Sequence, residues 1–231
     1  MTLRHSTTTL VLVALPWGAQ AARPMVTDDA AIATRGECQL EVWSDRLDDD
    51  RALSIAPACG LTDSLEFDAQ ATRVQVGGAS LYGVGLGLKW APDGLEFELP
   101  VGTLNVAFKA GYAWLRDAAG HWRHDGVGAA ALASLAIGPA WSVNANLATV
   151  RDLAGRTSTT GFNLGVAWQA SERWMLFGEW LATDRAAGVA NAGTRWWWVP
   201  GTLGLDFSVG RTAAHGATIG VGLGWYGIRF P

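Results

Sequence analysis

Histidines are the side chains of this chain that are best suited to act as general bases or metal ligands, and their positions do not favour catalysis. His5 belongs to a leader that export would remove, and His121, His124 and His215 fall in polar stretches between apolar segments. A hydrolytic site needs a nucleophile beside a histidine, or paired carboxylates, at fixed positions. We therefore expect no enzymatic activity and no cofactor.

Two polar stretches leave metal binding as an alternative. His121 and His124 could share a metal with His215, and the aspartate run at 48–50 could bind calcium or lipopolysaccharide. Residues of these types between apolar segments are more often simply hydrated. The sequence therefore predicts no metal site.

The segments on either side of these polar stretches show apolar side chains alternating with glycine or small polar ones. Period-two alternation places every large apolar side chain on one face of a β-strand. About ten residues is the length that a tilted strand needs to cross the hydrocarbon core of a membrane. The pattern is clearest in five segments, 82–90, 141–147, 162–169, 203–210 and 219–225. It predicts membrane-spanning strands.

The composition favours a membrane barrel over a soluble one. The 231 residues include 13 tryptophans and 29 glycines, and charged residues make up only 16%. Membrane barrels place tryptophan in belts at the two interfaces. A lipocalin-like barrel or a sandwich would also alternate, but its outward face would be rich in lysine, glutamate and threonine, whereas the less apolar face here is glycine, alanine, asparagine and serine. The net charge of -4 argues against a nucleic-acid partner.

The N-terminus has the features of an export signal. Arg4 precedes an apolar stretch at 10–17, and Ala19-Gln20-Ala21 matches a signal-peptidase site. The apolar stretch is too short to cross a membrane as a helix, so we expect the mature protein to reside in the outer membrane of a Gram-negative bacterium. The predicted parts are a signal peptide at 1–21, a periplasmic N-terminal segment at 22–37 and a barrel at 38–231.

Short and long connections alternate between the predicted strands. The short ones lie at 138–140, 170–172 and 200–202, and the long ones at 117–125, 152–158 and 184–194. Outer-membrane barrels have short periplasmic turns and longer outer loops. The chain is therefore predicted to be all-β, a single antiparallel barrel of about 12 strands with both termini in the periplasm. The predicted strands are 38–46, 51–58, 62–75, 80–90, 95–116, 126–138, 140–151, 158–169, 173–183, 193–199, 202–211 and 216–230.

Two changes of apolar phase interrupt the pattern. One falls between Pro100 and Thr103, inside a predicted strand, and indicates a bulge or a short hairpin, so ten or fourteen strands remain alternatives. The other falls between Trp225 and Tyr226 and predicts a bulge in the last strand. That strand must pair with the first to close the barrel, which would bring Arg229 near Glu41.

Tryptophans provide an independent test of this topology. Trp114 and Trp180 fall at outer strand ends, and two interfacial belts result. The tryptophans at predicted periplasmic ends are Trp90, Trp141, Trp168, Trp174 and those at 196–198.

The two cysteines lie at the periplasmic ends of neighbouring predicted strands. Cys38 begins the first strand and Cys59 ends the second. The periplasm oxidises such pairs, and closing a loop of about twenty residues would stabilise the fold by about 3 kcal/mol. We expect a disulfide, with two reduced thiols as the alternative.

A small set of polar side chains is predicted to line the lumen. Inward charges either select solutes or cross-link a filled interior. Inward glycines on two strands leave a volume that must hold water, a solute or the N-terminal segment at 22–36. The lumen-lining candidates are Glu66, Asp68, Lys89, Glu98, Lys109, Asn144, Asn146, Glu179, Arg195, Asp206 and Arg211.

Four short motifs resemble a family of proteobacterial outer-membrane proteins. They are residues 23–30 (RPMVTDDA), 38–43 (CQLEVW), 57–60 (PACG) and 225–230 (WYGIRF). The chain is similar to the group labelled putative MetA-pathway of phenol degradation, and this resemblance implies a β-barrel for the uptake of hydrophobic compounds. The aromatic ending also resembles the signal that the barrel-assembly machinery reads, here Trp225, Tyr226, Ile228 and Phe230.

These observations predict a channel or transporter for passive passage of small molecules, hydrophobic or aromatic ones among them. The alternative is a structural or adhesive outer-membrane barrel that does not conduct because its lumen is plugged. Besides the small-molecule solute, the expected partners are outer-membrane lipids, lipopolysaccharide and the barrel-assembly machinery, and no nucleic acid.

Overall fold

A computed structural model describes residues 25–212 and 216–229 of this chain. The predicted signal peptide, His215 and Phe230 lie outside the described residues. No helix within these ranges has the length and hydropathy to cross a membrane. The strands are β1 (Cys38–Leu47), β2 (Asp50–Gly60), β3 (Leu65–Val76), β4 (Ala79–Trp90), β5 (Glu96–Leu99), β6 (Gly102–Arg116), β7 (Trp122–Ile137), β8 (Trp141–Asp152), β9 (Ser158–Ser171), β10 (Trp174–Thr183), β11 (Ala186–Val199), β12 (Leu203–Thr212) and β13 (Ala217–Ile228).

Twelve of these strands form a closed antiparallel barrel. Each pairs with the next along the chain, β4 pairs with β6, and β13 returns to pair with β1. The all-β barrel fold predicted from the alternation is confirmed. We call the end at which β1 begins and β13 ends the terminal rim, and the other end the opposite rim.

A short hairpin explains the phase change near Pro100. β5 pairs with the first residues of β6, from Glu96↔Asn105 to Leu99↔Gly102, while β4 pairs with the rest of β6. The predicted strand 95–116 is therefore two strands, and the hairpin alternative is confirmed. Gly102 is needed at its turn because a Cβ there would collide with the carbonyl oxygen of Ala136.

Side chains alternate between an exposed apolar exterior and a buried interior. Along β9, Phe162, Leu164 and Val166 are exposed, while Asn163 and Ala167 are buried. The same alternation follows β13 and the other wall strands. An apolar surface of this extent marks a region that contacts lipid or another protein rather than water.

Aromatic rings gather near both rims of the barrel. At the terminal rim Trp141 stacks on Trp168 with ring centroids 5.5 Å apart, and Trp174 lies 6.4 Å from Trp196. At the opposite rim Trp180 is exposed, as interfacial tryptophans are. Trp114 is half-buried there, with its ring 4.8 Å from that of Tyr112. Trp197 departs from the prediction and faces the interior, because it shares the strand face of Arg195.

The third predicted long loop is a tight turn. β10 and β11 are joined at 184–185, and Thr183 pairs with Ala186. Residues 186–192 are mostly alanine and glycine, so they carry no apolar alternation that would mark them as a strand. Pairing with β10 makes them one nonetheless, since tertiary context overrides weak intrinsic preference.

The two ends of the barrel wall meet at a bulged seam. β1 and β13 keep register from Leu40↔Trp225 onward, and the register shifts between there and Cys38↔Ile228. This confirms the predicted bulge after Trp225. Cys38 and Cys59 are direct cross-strand partners and form the predicted disulfide.

Candidate functional site

The barrel interior contains most of the polar side chains predicted to line it. Strand alternation places them on the inner face of β3, β4, β6, β8, β10, β11 and β12. Asp68 faces the same space with its side chain 21% exposed. Eight of the eleven predicted residues are buried there, namely Glu66, Lys89, Lys109, Asn144, Asn146, Glu179, Arg195 and Asp206.

Two predicted lumen residues lie elsewhere. Glu98 is exposed on β5, which belongs to the hairpin at the terminal rim, and it accepts a hydrogen bond from Thr103. Arg211 is exposed near the opposite rim. It lies five positions from Asp206 and so on the other face of β12, which corrects the prediction that Arg211 lines the lumen.

Residues 25–36, which we call the plug segment, occupy the lumen. The segment leaves the wall at the terminal rim, where Gly36 N–H donates to Gly60 O at 2.9 Å and Gly60 N–H donates to Glu37 O at 3.0 Å. Gly60 has no room for a Cβ because the carbonyls of Ala33 and Thr34 pass against it. The segment was predicted as a periplasmic N-terminal segment, with the lumen as an alternative location, and its described part lies inside the barrel.

Glu179 holds the N-terminal end of the plug segment. Its carboxylate accepts hydrogen bonds from the backbone N–H groups of Val26 and Thr27, at 2.9 and 2.7 Å, and from the Thr27 hydroxyl at 2.7 Å. Asn191 donates to the same carboxylate at 2.7 Å. Met25 packs beside it against Phe177. One carboxylate thus satisfies two backbone donors that would otherwise be buried without partners.

Asp28 bridges two lysines of the wall. Lys89 and Lys109 are direct cross-strand partners on β4 and β6, and the Asp28 oxygens lie 3.0 Å from Lys89 Nζ and 3.5 Å from Lys109 Nζ. All three side chains are nearly inaccessible to solvent. Two like charges facing each other are destabilising, so the plug supplies the counter-charge that this pair of lysines needs.

Further contacts continue along the plug segment. Asn146 accepts a hydrogen bond from Asp28 N–H at 2.7 Å and donates one to Asp28 O at 2.8 Å. Ala30 N–H donates to the Ser134 hydroxyl at 2.8 Å, and Ala33 N–H donates to Glu66 at 2.7 Å. These partners lie on three different strands, so the segment is held by the barrel as a whole.

Little space remains beside the plug segment. A cavity of about 40 Å³ lies between Asp28 and the wall residues Glu41, Glu66 and Asp68. Pockets for small molecules usually measure about 300–1,000 Å³, whereas a polar cavity of this size accommodates water. We call this arrangement, in which the plug segment lies in the lumen, the closed one.

A second polar cluster joins the wall across the seam. We call Glu41, Arg195, Trp197, Asp206 and Tyr226 the seam cluster. Arg195 donates two hydrogen bonds to Asp206, at 2.6 and 2.7 Å, which is the bidentate geometry of a strong ion pair. Its guanidinium lies 4.9 Å from the Trp197 ring and 5.0 Å from the Tyr226 ring. Tyr226 O–H donates to Glu41, which links β13 to β1.

Arg229 does not reach Glu41 as predicted. It hydrogen-bonds Glu37, with Nη2 2.6 Å from Oε1, because the strand register places Glu41 opposite Gly224, five residues before Arg229. The roles of Asp28, Thr27 and Ser134 were not predicted. The signal for them in the sequence is the acidic pair 28–29 shortly after the predicted leader.

His121 and His124 lie near the opposite rim and bond to neighbouring groups of the chain. The ring of His124 is hydrogen-bonded to the Tyr112 hydroxyl at 2.8 Å. His121 N–H donates to Asp117 at 2.9 Å and lowers the pKa of that exposed carboxyl. Within the described residues no group of three histidine, cysteine, aspartate or glutamate side chains is arranged to hold a metal ion.

Comparison with known proteins places the fold among outer-membrane barrels. No family model matches the chain, and no curated protein matches it. The KdgM porin in complex with disordered oligogalacturonate has a TM-score of 0.61 at 7% identity, covering 81% of this chain and 98% of its own. The outer membrane protein Omp33 of Acinetobacter baumannii has a TM-score of 0.53 at 11% identity, covering 86% and 100%.

A third solved structure agrees with these two. An outer membrane channel from Pseudomonas putida F1 has a TM-score of 0.51 at 12% identity, covering 85% of this chain and 97% of its own. At such identities the likeness concerns the fold alone, and membership of the phenol-degradation group stays a prediction. The chain has the fold of outer-membrane porins and channels, with its interior filled by its own N-terminal segment.

Proposed function

We propose that this chain is a channel of the Gram-negative outer membrane that lets small molecules pass by diffusion, hydrophobic and aromatic ones among them, and that the plug segment gates it. The observation that carries this proposal is the way in which the lumen is closed. A separate stretch of chain fills it and is bound mainly through side chains of the wall.

The exterior supports a location in the outer membrane. Large apolar side chains are exposed on the wall strands after β1, from Leu53 and Ile55 on β2 to Trp225 on β13. Aromatic pairs lie near the rims, where interfacial belts contact lipid headgroups. Outer-membrane lipids and lipopolysaccharide are the partners that fit this surface, and the barrel-assembly machinery is the partner that would insert it.

The attachment of the plug segment supports gating. Its backbone amides bond to side chains, and its one bridge to the wall, Arg35↔Gly60, lies at the terminal rim where the segment enters. Hydrogen bonds to charged side chains contribute about 1.5–3 kcal/mol each. A few such contacts can be exchanged for water far more easily than a strand can be removed from a barrel.

The small remaining cavity favours one other function. A barrel whose lumen is permanently filled would serve a structural or adhesive role, and a cavity of about 40 Å³ fits that description as well. The two proposals differ in whether the plug segment ever leaves.

Single-channel recording of refolded full-length protein in planar bilayers tests the proposal. The double variant Asp28→Asn, Glu179→Gln removes two of the charges that anchor the plug segment, so we expect its open fraction to rise by about tenfold or more over the wild type. Glu98→Gln, an exposed carboxylate on β5, is the matched control and should leave the open fraction unchanged. If no variant conducts, although heat-modifiable gel mobility shows folded barrels, the structural role is correct instead.

A further inference from the structure

Lys89 and Lys109 form an unusual pair on the inner wall. They face each other in register across β4 and β6 and are 4% and 8% exposed. Two buried ammonium groups at neighbouring positions require an anion between them. The pair is therefore built around an anionic partner.

The anionic partner comes from the plug segment. The Asp28 carboxylate spans the pair, one oxygen toward each lysine. Lys89 also donates to Ala31 O at 2.8 Å and lies 3.6 Å from Asp29. Every hydrogen bond and ion pair of Lys89 given by the described residues is made with the plug segment, so this lysine loses them all when the segment leaves.

An apolar surface adjoins the lysine pair. Ala30, two residues after Asp28, packs against Ala107, Leu132 and other small side chains of β6 to β8. Ala107 lies two residues from Lys109 on the same face of β6. The plug segment therefore presents an anionic head to the lysines and a small apolar group to the wall beside them.

The neighbouring carboxylates limit the charge of any replacement. Glu66 is the direct cross-strand partner of Lys89 on β3, and Asp68 lies 3.4 Å from Lys109. Glu66 and Asp68 offset part of the charge of the two lysines, so a monoanion in place of the Asp28 carboxylate is tolerated, whereas each further negative charge is opposed by these two wall carboxylates.

We propose that Lys89 and Lys109 form a binding site for a small monocarboxylate with a short apolar body, and that Asp28 of the plug segment occupies this site in the closed barrel as an intramolecular competitor. The inference rests on the proposed channel and names a substrate class for it. Because the competitor is tethered, its effective concentration is in the millimolar range or above, so an external carboxylate binds the wild type only weakly.

Binding to a full-length variant tests the site. Asp28→Ala removes the competing carboxylate and leaves a space in front of both lysines. We expect calorimetry in detergent to show that this variant binds benzoate at least about tenfold more tightly than the wild type does, and at least about tenfold more tightly than it binds the neutral isostere benzamide. Adding Lys89→Gln to the variant should abolish the preference for benzoate.

Three outcomes overturn the proposal. Equal binding of benzoate and benzamide shows an apolar pocket without a carboxylate site. Binding of acetate as tight as that of benzoate shows a charged site that does not recognise an apolar body. If neither anion binds although gel mobility shows that the variant is folded, the two lysines form no carboxylate site.

The same variant separates this inference from the channel itself. Conductance of Asp28→Ala in bilayers without benzoate binding would leave the channel standing and refute the carboxylate site. Benzoate binding without conductance would support the carboxylate site and refute the channel.

Discussion

Carboxylates of the barrel wall act as acceptors for a segment of backbone that has no strand partner. Glu179 and Glu66 receive amide N–H groups from opposite ends of the plug segment. A buried N–H without a partner costs about 1–3 kcal/mol, so each such carboxylate stabilises the closed arrangement.

Substituting Glu179 should loosen the N-terminal end of the plug segment. Glu179→Gln replaces a charged acceptor shared by Val26 and Thr27 with a neutral one, so we expect protection of those two amides from hydrogen exchange to fall by about tenfold or more. The measurement is exchange followed by mass spectrometry on refolded protein. Glu98→Gln should leave these amides unchanged, and unaltered protection in both variants would show that Glu179 does not hold the segment.

The seam cluster yields a second prediction at this scale. Tyr226→Phe removes the hydroxyl that donates to buried Glu41, so we expect the free energy of unfolding in vesicles to fall by about 1–3 kcal/mol. Urea titration followed by tryptophan fluorescence measures it. Tyr82→Phe provides the comparison, since Tyr82 contacts Arg73 and Arg116 through its ring. Equal losses in both variants would contradict a special role for the seam.

Sequence reasoning found the inward residues but not their partners. Lys89 and Lys109 could be assigned to the interior because strand parity fixes the face on which a side chain lies. Asp28 could not be assigned, since residues 25–36 have no apolar period and their conformation depends on contacts with several distant strands. The inward face of Trp197 was not predicted, because in a run of three tryptophans no alternation shows which ring faces the interior.

Among the elements, the hairpin of β5 and β6 carries a prediction of its own. A methyl group at Gly102 would meet the backbone of β7, and overpacking of this kind costs about 1–3 kcal/mol. We expect Gly102→Ala to lower unfolding stability by that amount. Gly178→Ala on β10, where nothing lies within 4 Å of the added group, should change stability little. A loss confined to Gly178→Ala would refute this packing.

Element boundaries were predictable where apolar alternation was strong. β4, β8 and β9 match their predicted ranges to within two residues, because each has large outward side chains at every second position. The start of β11 was missed by seven residues, since alanine and glycine give no signal for either face. Its pairing with β10 is a property of the closed sheet and not of the local sequence.

At the scale of the whole molecule, a rigid wall surrounds one segment with weaker attachments. Closure by β1 and β13 leaves every wall strand paired on both sides. The plug segment has a single bridge to the wall, Arg35↔Gly60, at its C-terminal end. The Cys38–Cys59 disulfide lies at the same rim, next to Gly60. The C-terminal end of the plug segment is therefore fixed to the wall, and we expect movement at its N-terminal end.

A reversible covalent lock tests most directly whether the plug segment gates the barrel. A Cβ built at Gly165 lies 3.2 Å from Thr27 Cβ, close to the spacing of about 3.5–4.5 Å found in disulfides. The flexible end of the Met25 side chain lies nearer still and must move aside. The variant Thr27→Cys, Gly165→Cys can therefore join the segment to β9. Wild-type protein and the two single substitutions, each with and without reductant, control for reduction of Cys38–Cys59 and for the new side chains.

The measurement is bilayer conductance of the double-cysteine variant before and after reduction. We predict no openings while the lock is oxidised and openings at the wild-type frequency or above once it is reduced. Conductance that persists in the oxidised variant, with the crosslink confirmed by mass spectrometry, would contradict gating by the plug segment.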